Sequence, residues 1–311
     1  MGDANTTRLR EAATEFLDIF ERGQAESKFN GLTQDVDASA GFFKPAAIGL
    51  PGEPTAFTGT ATVHAINSSS KSYDSVIYEY TWGIDKNMLM RTDKLARGQV
   101  SAMLRNIVRK WVGHKDKTLT TLLATGESVG THAASAIFST TAATLNPSVT
   151  VNNKHGTAVS GSANEVLAAL HAGCGLFEAM RNNGNDLVNG GNAPRVRLMY
   201  SGAGQTGERQ FVYDALKPML LNDKYLFEGN VVQPVNNPYL GTNADMWMFD
   251  LDTPNKFFVV GVEQQADFVT NLGSQSDSDV ILHRRNLGQT SYGYGVAFSG
   301  DPTGAVMLND A

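Results

Sequence analysis

The sequence contains little cysteine, little charge and no long apolar run. Cys174 is the one cysteine in 311 residues, which excludes an internal disulfide framework and a metal cluster held by thiolates alone. No apolar run approaches the roughly 18 residues that a membrane-spanning helix needs. Residues 1–6 lack the basic and apolar regions of a secretory signal. We therefore expect no association with a membrane.

Charged residues make up 18% of the chain, against about 25% in an average globular protein. Glycine, with 31 residues, takes up part of the difference and indicates many turns and weakly charged surfaces. The hydrophobic fraction of 41% is sufficient for a real core, which excludes disorder across the whole chain. The net charge of -6 excludes a general nucleic-acid binder but leaves room for a local basic stripe.

Residues 7–22 have the pattern of an amphipathic helix. Leu9, Ala13, Phe16 and Phe20 fall on one face, as the helical period requires. A helix of this length gains most of its stability from packing rather than from intrinsic propensity. Its apolar face is therefore expected to dock, either on the body of this chain or on a neighbouring chain.

Residues 28–71 are rich in Gly, Pro, Ser, Thr and Asn and contain little that could build a core. The segment NSSSKS, at 67–72, has the composition of a loop. A connection of this length is uncommon in a compact domain unless it has a function of its own. Residues 76–84 then alternate in the pattern of a β-strand.

The longest helical pattern covers residues 92–125 and carries an apolar stripe. At about 1.5 Å per residue it would span about 50 Å, so we expect it to form the backbone of the molecule. Thr92 suits the N-cap, and Gly113 permits a bend or a break. Its basic residues form either an ordinary solvated face or a positive strip for an acidic neighbour or a phosphate backbone. The positions that define this basic face are Arg97, Arg105, Arg109 and Lys110.

The rest of the chain combines helices with short strands. Ser162 and Glu165 match a capping box at the start of a helix over 162–181. A strand over 195–200 leads into a helix over 208–221. Further strands are predicted near Val231 and over 246–251, 257–262, 279–284 and 291–298. These patterns predict a mixed α+β fold, in which a second unit covers about 160–285 and the terminal strand returns to the first unit.

Residues 202–207, Gly-Ala-Gly-Gln-Thr-Gly, match the GxGxxG pattern of a dinucleotide site. Glycines there let the backbone approach a pyrophosphate at a helix N-terminus. The preceding strand, however, carries arginines in alternation, unlike the apolar first strand of a buried parallel sheet. A tight turn between strand and helix is the favoured interpretation. A nucleotide-binding oxidoreductase that uses Gly202, Gly204 and Gly207 is the alternative.

Other combinations that could carry chemistry are weaker. His171 and Cys174 form an HxxC pair, but no second pair stands at zinc-site spacing. The GxSxG, HExxH and Walker A motifs are absent from the sequence. We therefore predict no catalytic, cofactor or metal site and expect that the protein is not an enzyme.

Taken in order, these elements resemble the major capsid proteins of tailed bacteriophages, which have the fold named after phage Hong Kong 97. More locally, the sequence is similar to Mu-like phage major head subunits. In that pattern a strand passes through an Arg/Asp turn into a long spine helix, followed by a Leu-Leu-x-x-Gly exit, a Phe-Ser segment and closing strands. The segments that carry the similarity are YEYTWGIDKNMLMRTDKLARGQ (78–99), HKDKTLTTLLATG (114–126), AIFST (136–140) and SDVILHRRNLGQTSYGYGVAF (278–298).

The resemblance implies a division of the chain and a set of contacts. The division is an N-terminal arm over 1–38, an extended loop over 39–75, a peripheral domain over 76–160 and 286–311 that includes the spine helix 92–125, and an axial domain over 161–285. Axial-domain loops at 182–194 and 235–245 would line the centre of each capsomer. The side chains expected to contact neighbouring subunits are Phe16, Phe20, Phe42, Phe43 and Lys44.

The resemblance also implies a function. Many copies would assemble as hexamers and pentamers into an icosahedral shell around double-stranded DNA, which they bind non-specifically. The shell would belong to a virion assembled in the cytoplasm of a bacterial host. A scaffold or protease, a portal and decoration proteins would be separate partners. The low charge is then explained as surface covered by neighbours, because interface cores are depleted in charge. A tail-tube protein shares the loop-rich composition but would not need the long helix.

Overall fold

The structure, a computed structural model, describes most of the chain. The residues it describes are 2–38, 41–48, 68–85, 94–128, 136–140, 143–146, 149–156, 162–181, 187, 194–202, 208–221, 224–227, 230–242, 245–253, 256–271 and 285–308. The helices are α1 (Gly2–Gln24), α2 (Lys94–Ala124), α3 (Ala163–Ala179) and α4 (Glu208–Leu216). The strands are β1 (Thr33–Asp37), β2 (Phe42–Phe43), β3 (Ala46–Ile48), β4 (Ser68–Ser70), β5 (Tyr73–Asp74), β6 (Val76–Asp85), β7 (Ala143–Asn146), β8 (Val149–Val151), β9 (Lys154–His155), β10 (Val196–Tyr200), β11 (Leu220–Leu221), β12 (Lys224–Phe227), β13 (Asn230–Asn236), β14 (Met246–Asp250), β15 (Phe258–Asn271), β16 (Arg285–Phe298) and β17 (Ala305–Leu308).

The long helix α2 is continuous over 31 residues, or about 46 Å at 1.5 Å per residue. No break occurs at Gly113. A Cβ at that position would lie 2.5 Å from the hydroxyl of Tyr239, so the glycine makes room for a side chain that crosses the helix. The predicted N-cap, Thr92, lies outside the described residues.

Helix α1 docks on its own chain. The side chain of Phe16 is fully buried, with its ring centroid 5.5 Å from that of Phe268 in β15. The ring of Phe20 meets Tyr292 of β16 edge-on at 5.4 Å. Residues of α2 complete this cluster, among them Leu104 and Val108. Of the two predicted docking partners, the body of this chain therefore covers the apolar face of α1.

A four-stranded sheet supports α1 and α2. Its strand order is β1-β15-β16-β6, with β1 parallel to β15 and the other neighbouring pairs antiparallel. The register between β15 and β16 shifts between Val262 and Asp267. Such bulges bend and twist a strand locally. The indole Nε1 of Trp111 in α2 donates a hydrogen bond to the buried Thr290 hydroxyl of β16 at 3.0 Å. This bond fixes the position of the long helix on the sheet.

A second sheet has seven strands in the order β11-β12-β13-β10-β14-β17-β9. All five residues of β14 are buried, because the sheet is covered on both faces. Met246 and Met248 face the cluster formed with α3 and α4. Trp247 and Phe249 face the end of α2, together with phenylalanines of β15 and β16. The seven-stranded sheet is therefore the middle layer of this part of the molecule.

The pairing of two strands bears on the predicted division of the chain, which stays a prediction. Residues 258–271 were expected in the axial unit, but they pair with β16 in the four-stranded sheet. Residues 305–308 were expected to return to the peripheral unit, but they pair with β14 in the seven-stranded sheet. The chain therefore leaves the seven-stranded sheet after β14, forms the long β15–β16 pair and then returns to it.

Several local predictions are confirmed, and others are corrected. Ser162 caps α3 and accepts a hydrogen bond from the backbone N–H of Glu165 at 3.3 Å. Helix α4 ends at Leu216 rather than at residue 221, because Pro218 has no N–H to continue the helix. Ser68–Ser70 was expected in a loop but pairs as a strand. The predicted strand over 279–284 lies outside the described residues.

Candidate assembly surfaces

The extended loop is built on an antiparallel base. Phe42–Phe43 pairs with Tyr73–Asp74, and Ala46–Ile48 pairs with Ser68–Ser70, so the two described sides of the loop are paired with each other. We call residues 41–48 together with residues 68–75 the hairpin. The backbone N–H of Ser75 donates to the carbonyl of Gly41 at 2.9 Å and closes the base. Residues 49–67 of the predicted loop lie outside the described residues.

Two glycines of the four-stranded sheet receive the base of the hairpin. A Cβ on Gly261 would overlap the ring of Phe43. A Cβ on Gly295 would overlap the carbonyl oxygen of Asp74 and would lie 2.7 Å from the Phe43 ring. Phe43 is accordingly 2% exposed, in a small cluster with Val259 of β15. Its burial needs both glycines, since any other residue would push the hairpin off the sheet.

Of the five side chains predicted to contact a neighbouring subunit, the structure leaves two exposed. Phe16, Phe20 and Phe43 are buried in this chain, and contacts within the chain account for all three. Phe42 is 45% exposed. The exposed Lys44 places its ammonium nitrogen 5.8 Å from the centroid of the Phe42 ring. A contact with a neighbour stays a prediction, and in this arrangement only Phe42 and Lys44 are accessible for it.

The four predicted basic residues of α2 are all exposed, and their role as a basic face stays a prediction. Arg105 and Arg109 lie one turn apart on the same side of the helix. Lys110 is turned by about 100° from Arg109, because each residue advances a helix by that angle. Arg97 stands about two turns before Arg105, near the beginning of the helix. Arg97, Arg105 and Arg109 therefore fall within about 120° around the helix, and Lys110 lies about 100° beyond Arg109.

A buried charged pair on α2 was not predicted. Lys115 is 5% and Asp116 3% exposed. The ammonium of Lys115 donates to the side-chain oxygen of Gln24 at 3.2 Å and lies 3.9 Å from the carboxylate of Asp35. Burial lowers the pKa of Lys115, and the charges of Asp35 and Asp116 oppose this effect. The sequence could have indicated this burial, because Lys115 stands between Trp111 and Leu119 on the apolar stripe. A charged residue buried at such a position needs partners.

Asp116 binds the turn that follows α1. It accepts a hydrogen bond from the Ser27 hydroxyl at 2.5 Å and one from the Lys28 backbone N–H at 3.1 Å. Burial raises the pKa of Asp116, although these two hydrogen bonds and the nearby lysines Lys28 and Lys115 lower it. The buried carboxylate thus replaces water as the partner of two donors in this turn.

The seven-stranded sheet holds the same turn from its other side. The guanidinium of Arg197 in β10 donates to the carbonyls of Lys28 and Asn30. Burial lowers its pKa, but arginine stays protonated at neutral pH. The sequence analysis used the arginines of this strand as an argument against a nucleotide-binding strand. One of them, Arg197, binds the turn that follows α1.

The outer strand of the four-stranded sheet carries an exposed apolar surface. Val76, Ile77 and Tyr80 of β6 are about half exposed, and β6 is an edge of the sheet among the described residues. An exposed apolar edge strand is a surface on which further chain can pair or pack. Phe42 and Lys44 project from the hairpin, whose β5 directly precedes β6.

Gly202 has a packing explanation. A Cβ there would lie 2.5 Å from the side-chain nitrogen of Asn236, and the Gly202 N–H donates to the Asn236 side-chain oxygen at 2.8 Å. This donor is therefore engaged by Asn236 rather than open to a phosphate. The other glycines of the motif, Gly204 and Gly207, lie outside the described residues. Strand β10 is parallel to β13 but antiparallel to β14, which differs from a wholly parallel dinucleotide-binding sheet.

The described part of the chain shows neither a cluster of three or more His, Cys, Asp or Glu side chains that could hold a metal ion nor a helix that could cross a membrane. Cys174 is buried in α3, and His171 is exposed one turn before it. The arrangement of the described residues thus offers packed interfaces and exposed apolar or basic surfaces.

Comparison with known proteins gives structural relatives only. No protein-family model and no curated protein matches the sequence. A virus-like particle protein from Pyrococcus furiosus is 13% identical, with a TM-score of 0.55 over 96% of this chain and 98% of its own. The capsid of the cyanophage P-SCSP1u is 12% identical, with a TM-score of 0.56 over 91% of this chain and 88% of its own. The mature capsid of bacteriophage PhiM1 is 11% identical, with a TM-score of 0.53 over 91% of this chain and 86% of its own. The chain therefore has the mixed α+β Hong Kong 97 capsid fold, as the order of its sequence elements predicts.

Proposed function

We propose that this protein is the major capsid subunit of a tailed phage or prophage. Copies would assemble as hexamers and pentamers into an icosahedral shell that encloses double-stranded DNA. One observation supports this above the others: the chain shares its architecture, over more than nine-tenths of its length, with proteins that form viral capsids and a virus-like particle. A structural role, without catalysis, is the function that such a fold serves.

The surfaces of the chain support assembly. Phe43 holds the base of the hairpin on the four-stranded sheet, and residues 49–67 connect its two described sides in the sequence. On this proposal those residues lie across an adjacent subunit, where they need a defined shape but no core of their own. The exposed side chains of Val76, Ile77 and Tyr80 would be covered in the same assembly, because an exposed apolar edge strand favours pairing or packing with another chain.

The proposal includes further properties of the subunit. It would be related to Mu-like head subunits and would belong to a virion assembled in a bacterial cytoplasm. Its partners would be a separate scaffold or protease, a portal, decoration proteins and the packaged DNA, which it would bind non-specifically. The loops at 182–194 and 235–245 would line the capsomer centre. Of the second loop, residues 235–236 end β13 and residues 238–240 form a short 3-10 turn.

The test is expression of the full chain, followed by size-exclusion chromatography and negative-stain electron microscopy. Deletion of residues 40–72 should leave a folded monomer in solution that forms no shells. A sharper variant replaces residues 49–67 by a two-residue Asn-Gly turn, which suits an antiparallel pair. It keeps Phe43 on Gly261 and Gly295, so failure to assemble would not reflect loss of the base.

Normal shells from either deletion would contradict the role given to the hairpin. A wild-type chain that forms only a small discrete oligomer, and that binds a dinucleotide in a calorimetric titration, would instead favour the oxidoreductase alternative. A Gly204→Ala variant that abolished such binding would place the dinucleotide at 202–207.

A further inference from the structure

A hollow of about 780 Å³ lies between the end of α1, the turn after it, β1 and the bulged part of β15. Its accessible surface is partly apolar and partly acidic. Leu17 is 43% exposed, and the carboxylates of Glu21 and Asp35, which also line the hollow, are exposed. Phe20 and Tyr292 line it as well, but they are buried core residues and add little accessible surface. The hollow has room for side chains of a partner, since its volume is in the range of small-molecule sites.

The charges in this hollow are not balanced within the chain. Among its described lining residues, Lys115 is the one cation. Its buried ammonium nitrogen lies 3.2 Å from the side-chain oxygen of Gln24 and 3.9 Å from the carboxylate of Asp35. Glu21 forms no salt bridge within the described part of the chain. Two carboxylates against one ammonium leave a negative charge at the rim, which favours a cationic partner.

The hairpin carries the complementary groups. The exposed ring of Phe42 has the ammonium nitrogen of Lys44 at 5.8 Å from its centroid. Phe43 packs on the two glycines of the four-stranded sheet. Because successive residues of a strand point to opposite sides, Phe42 faces away from that sheet. An apolar ring and a cation are therefore presented together on the outer side of the hairpin.

The hairpin and the hollow lie on opposite faces of the four-stranded sheet. Gly295 of β16 receives the hairpin on one face. Tyr292 and Tyr294 of the same strand pack against α1 and α2 on the other face, where Tyr292 lines the hollow. A chain seated in this way does not bring Phe42 to its own hollow, whereas a second copy can. Such a contact joins two different surfaces, so it is heterologous and either closes into a ring or continues as a filament.

We propose that Phe42 and Lys44 of one copy dock in the hollow of a second copy, with the Phe42 ring against Leu17 and the Lys44 ammonium beside Glu21 and Asp35. The inference rests on the proposed function, because it names the place on the adjacent subunit that receives the hairpin. Complementarity selects this occupant: each surface combines an exposed apolar side chain with charge, and the two charges have opposite signs. Burial of the two apolar side chains stabilises the contact.

Sedimentation velocity of the full chain over a concentration series, at low and moderate salt, measures self-association. Lys44→Glu in the hairpin and Glu21→Lys/Asp35→Asn in the hollow should each raise the concentration needed for association at least tenfold. A chain with all three changes has both charges reversed, so it should associate within about threefold of wild type. The matched controls are Lys71→Glu, on the opposite side of the hairpin, and Glu11→Lys, on α1 outside the hollow. Both should stay within about twofold.

A mixing experiment tests the head-to-tail arrangement. Phe42→Ser/Lys44→Ser lacks the docking side chains, and Glu21→Lys/Asp35→Asn lacks the receiving charges, so each variant alone should be monomeric where wild type associates. In a mixture, the intact hairpin of one variant can enter the intact hollow of the other. We expect a 1:1 dimer that grows no further, because its two remaining surfaces are both defective. A mixture that stays monomeric would overturn the head-to-tail contact.

Circular dichroism checks that every variant folds. A wild-type chain that stays monomeric at every concentration would overturn the inference, as would equal losses in test and control variants or no recovery in the combined variant. Wild-type rings or filaments that show the expected variant effects, but no closed shells, would support this contact and contradict the proposed capsid function. Closed shells that form equally well in all variants would support that function and overturn this contact.

Discussion

The hydroxyl of Ser27 donates a hydrogen bond to the buried carboxylate of Asp116 at 2.5 Å, across 89 residues of sequence. The same carboxylate accepts the backbone N–H of Lys28, whose carbonyl accepts from Arg197. The turn after α1 is therefore held by the long helix on one side and by the seven-stranded sheet on the other. These contacts connect the two sheets through a short segment that has little regular structure.

Removal of the Asp116 carboxylate should destabilise the chain. Asp116→Ala leaves the Ser27 hydroxyl and the Lys28 N–H without a partner in a buried place, which costs about 2–4 kcal/mol. Asp116→Asn has the same shape, and its amide can accept from Lys28 and donate to Ser27, so it should stay within about 1 kcal/mol of wild type. Urea unfolding followed by circular dichroism measures both. Equal stability of the alanine variant and wild type would contradict this account of the turn.

The same residue should give a measurable pH dependence. Because the pKa of Asp116 is raised in the folded chain, the folded state binds this proton more tightly than the unfolded state does. Its contribution to the free energy of unfolding is fully present below the ordinary pKa of about 4 and is lost as the pH rises through the folded pKa. The difference in stability between wild type and Asp116→Asn should therefore shift against wild type as the pH rises. A flat difference, or one of the opposite sign, would show that the pKa of Asp116 is not raised in the folded chain.

Phe16 should matter for the stability of the single chain. Phe16→Ala opens a cavity between α1, α2 and the four-stranded sheet, for which we expect a loss of about 3–5 kcal/mol in the free energy of unfolding. The neighbouring Leu17 is 43% exposed, so Leu17→Ala should cost less than about 1 kcal/mol. If Phe16→Ala unfolded like wild type but lost self-association, Phe16 would instead belong to a contact between chains.

The two glycines beneath the hairpin base should be sensitive to a single methyl group. Gly295→Ala places its Cβ against the Asp74 carbonyl and the Phe43 ring, and overpacking of this kind costs about 1–3 kcal/mol. Limited proteolysis should then cleave the hairpin sooner than in wild type. Gly98→Ala is the matched control, because nothing lies within 4 Å of its Cβ and alanine in a helix should add about 0.5–1 kcal/mol. Unchanged proteolysis of Gly295→Ala would show that the base is not packed on the sheet.

Much of the fold is predictable because local patterns and the order of elements survive folding. Periodicity and capping residues predict the long helix, the cap at Ser162 and the strand at 76–85. These signals depend only on neighbours along the chain. The sequence could also have predicted the end of α4 at Leu216, since Pro218 prevents another helical turn. The candidate surfaces were harder to predict from the sequence. Periodicity showed that Phe16 and Phe20 lie on the same helix face, but it could not show whether the surface that covers them belongs to this chain.

Composition and periodicity thus established a mixed α+β chain with a docked first helix, a long loop and a long central helix. Three-dimensional pairing decided that residues 258–271 join the four-stranded sheet and residues 305–308 the seven-stranded sheet, because strand partners are chosen by register and burial on both faces rather than by proximity in sequence. It also decided that Lys115 and Asp116 are buried and that Glu21, Asp35 and Lys115 line one hollow. Such neighbours come from distant segments, and no pattern within one segment records them.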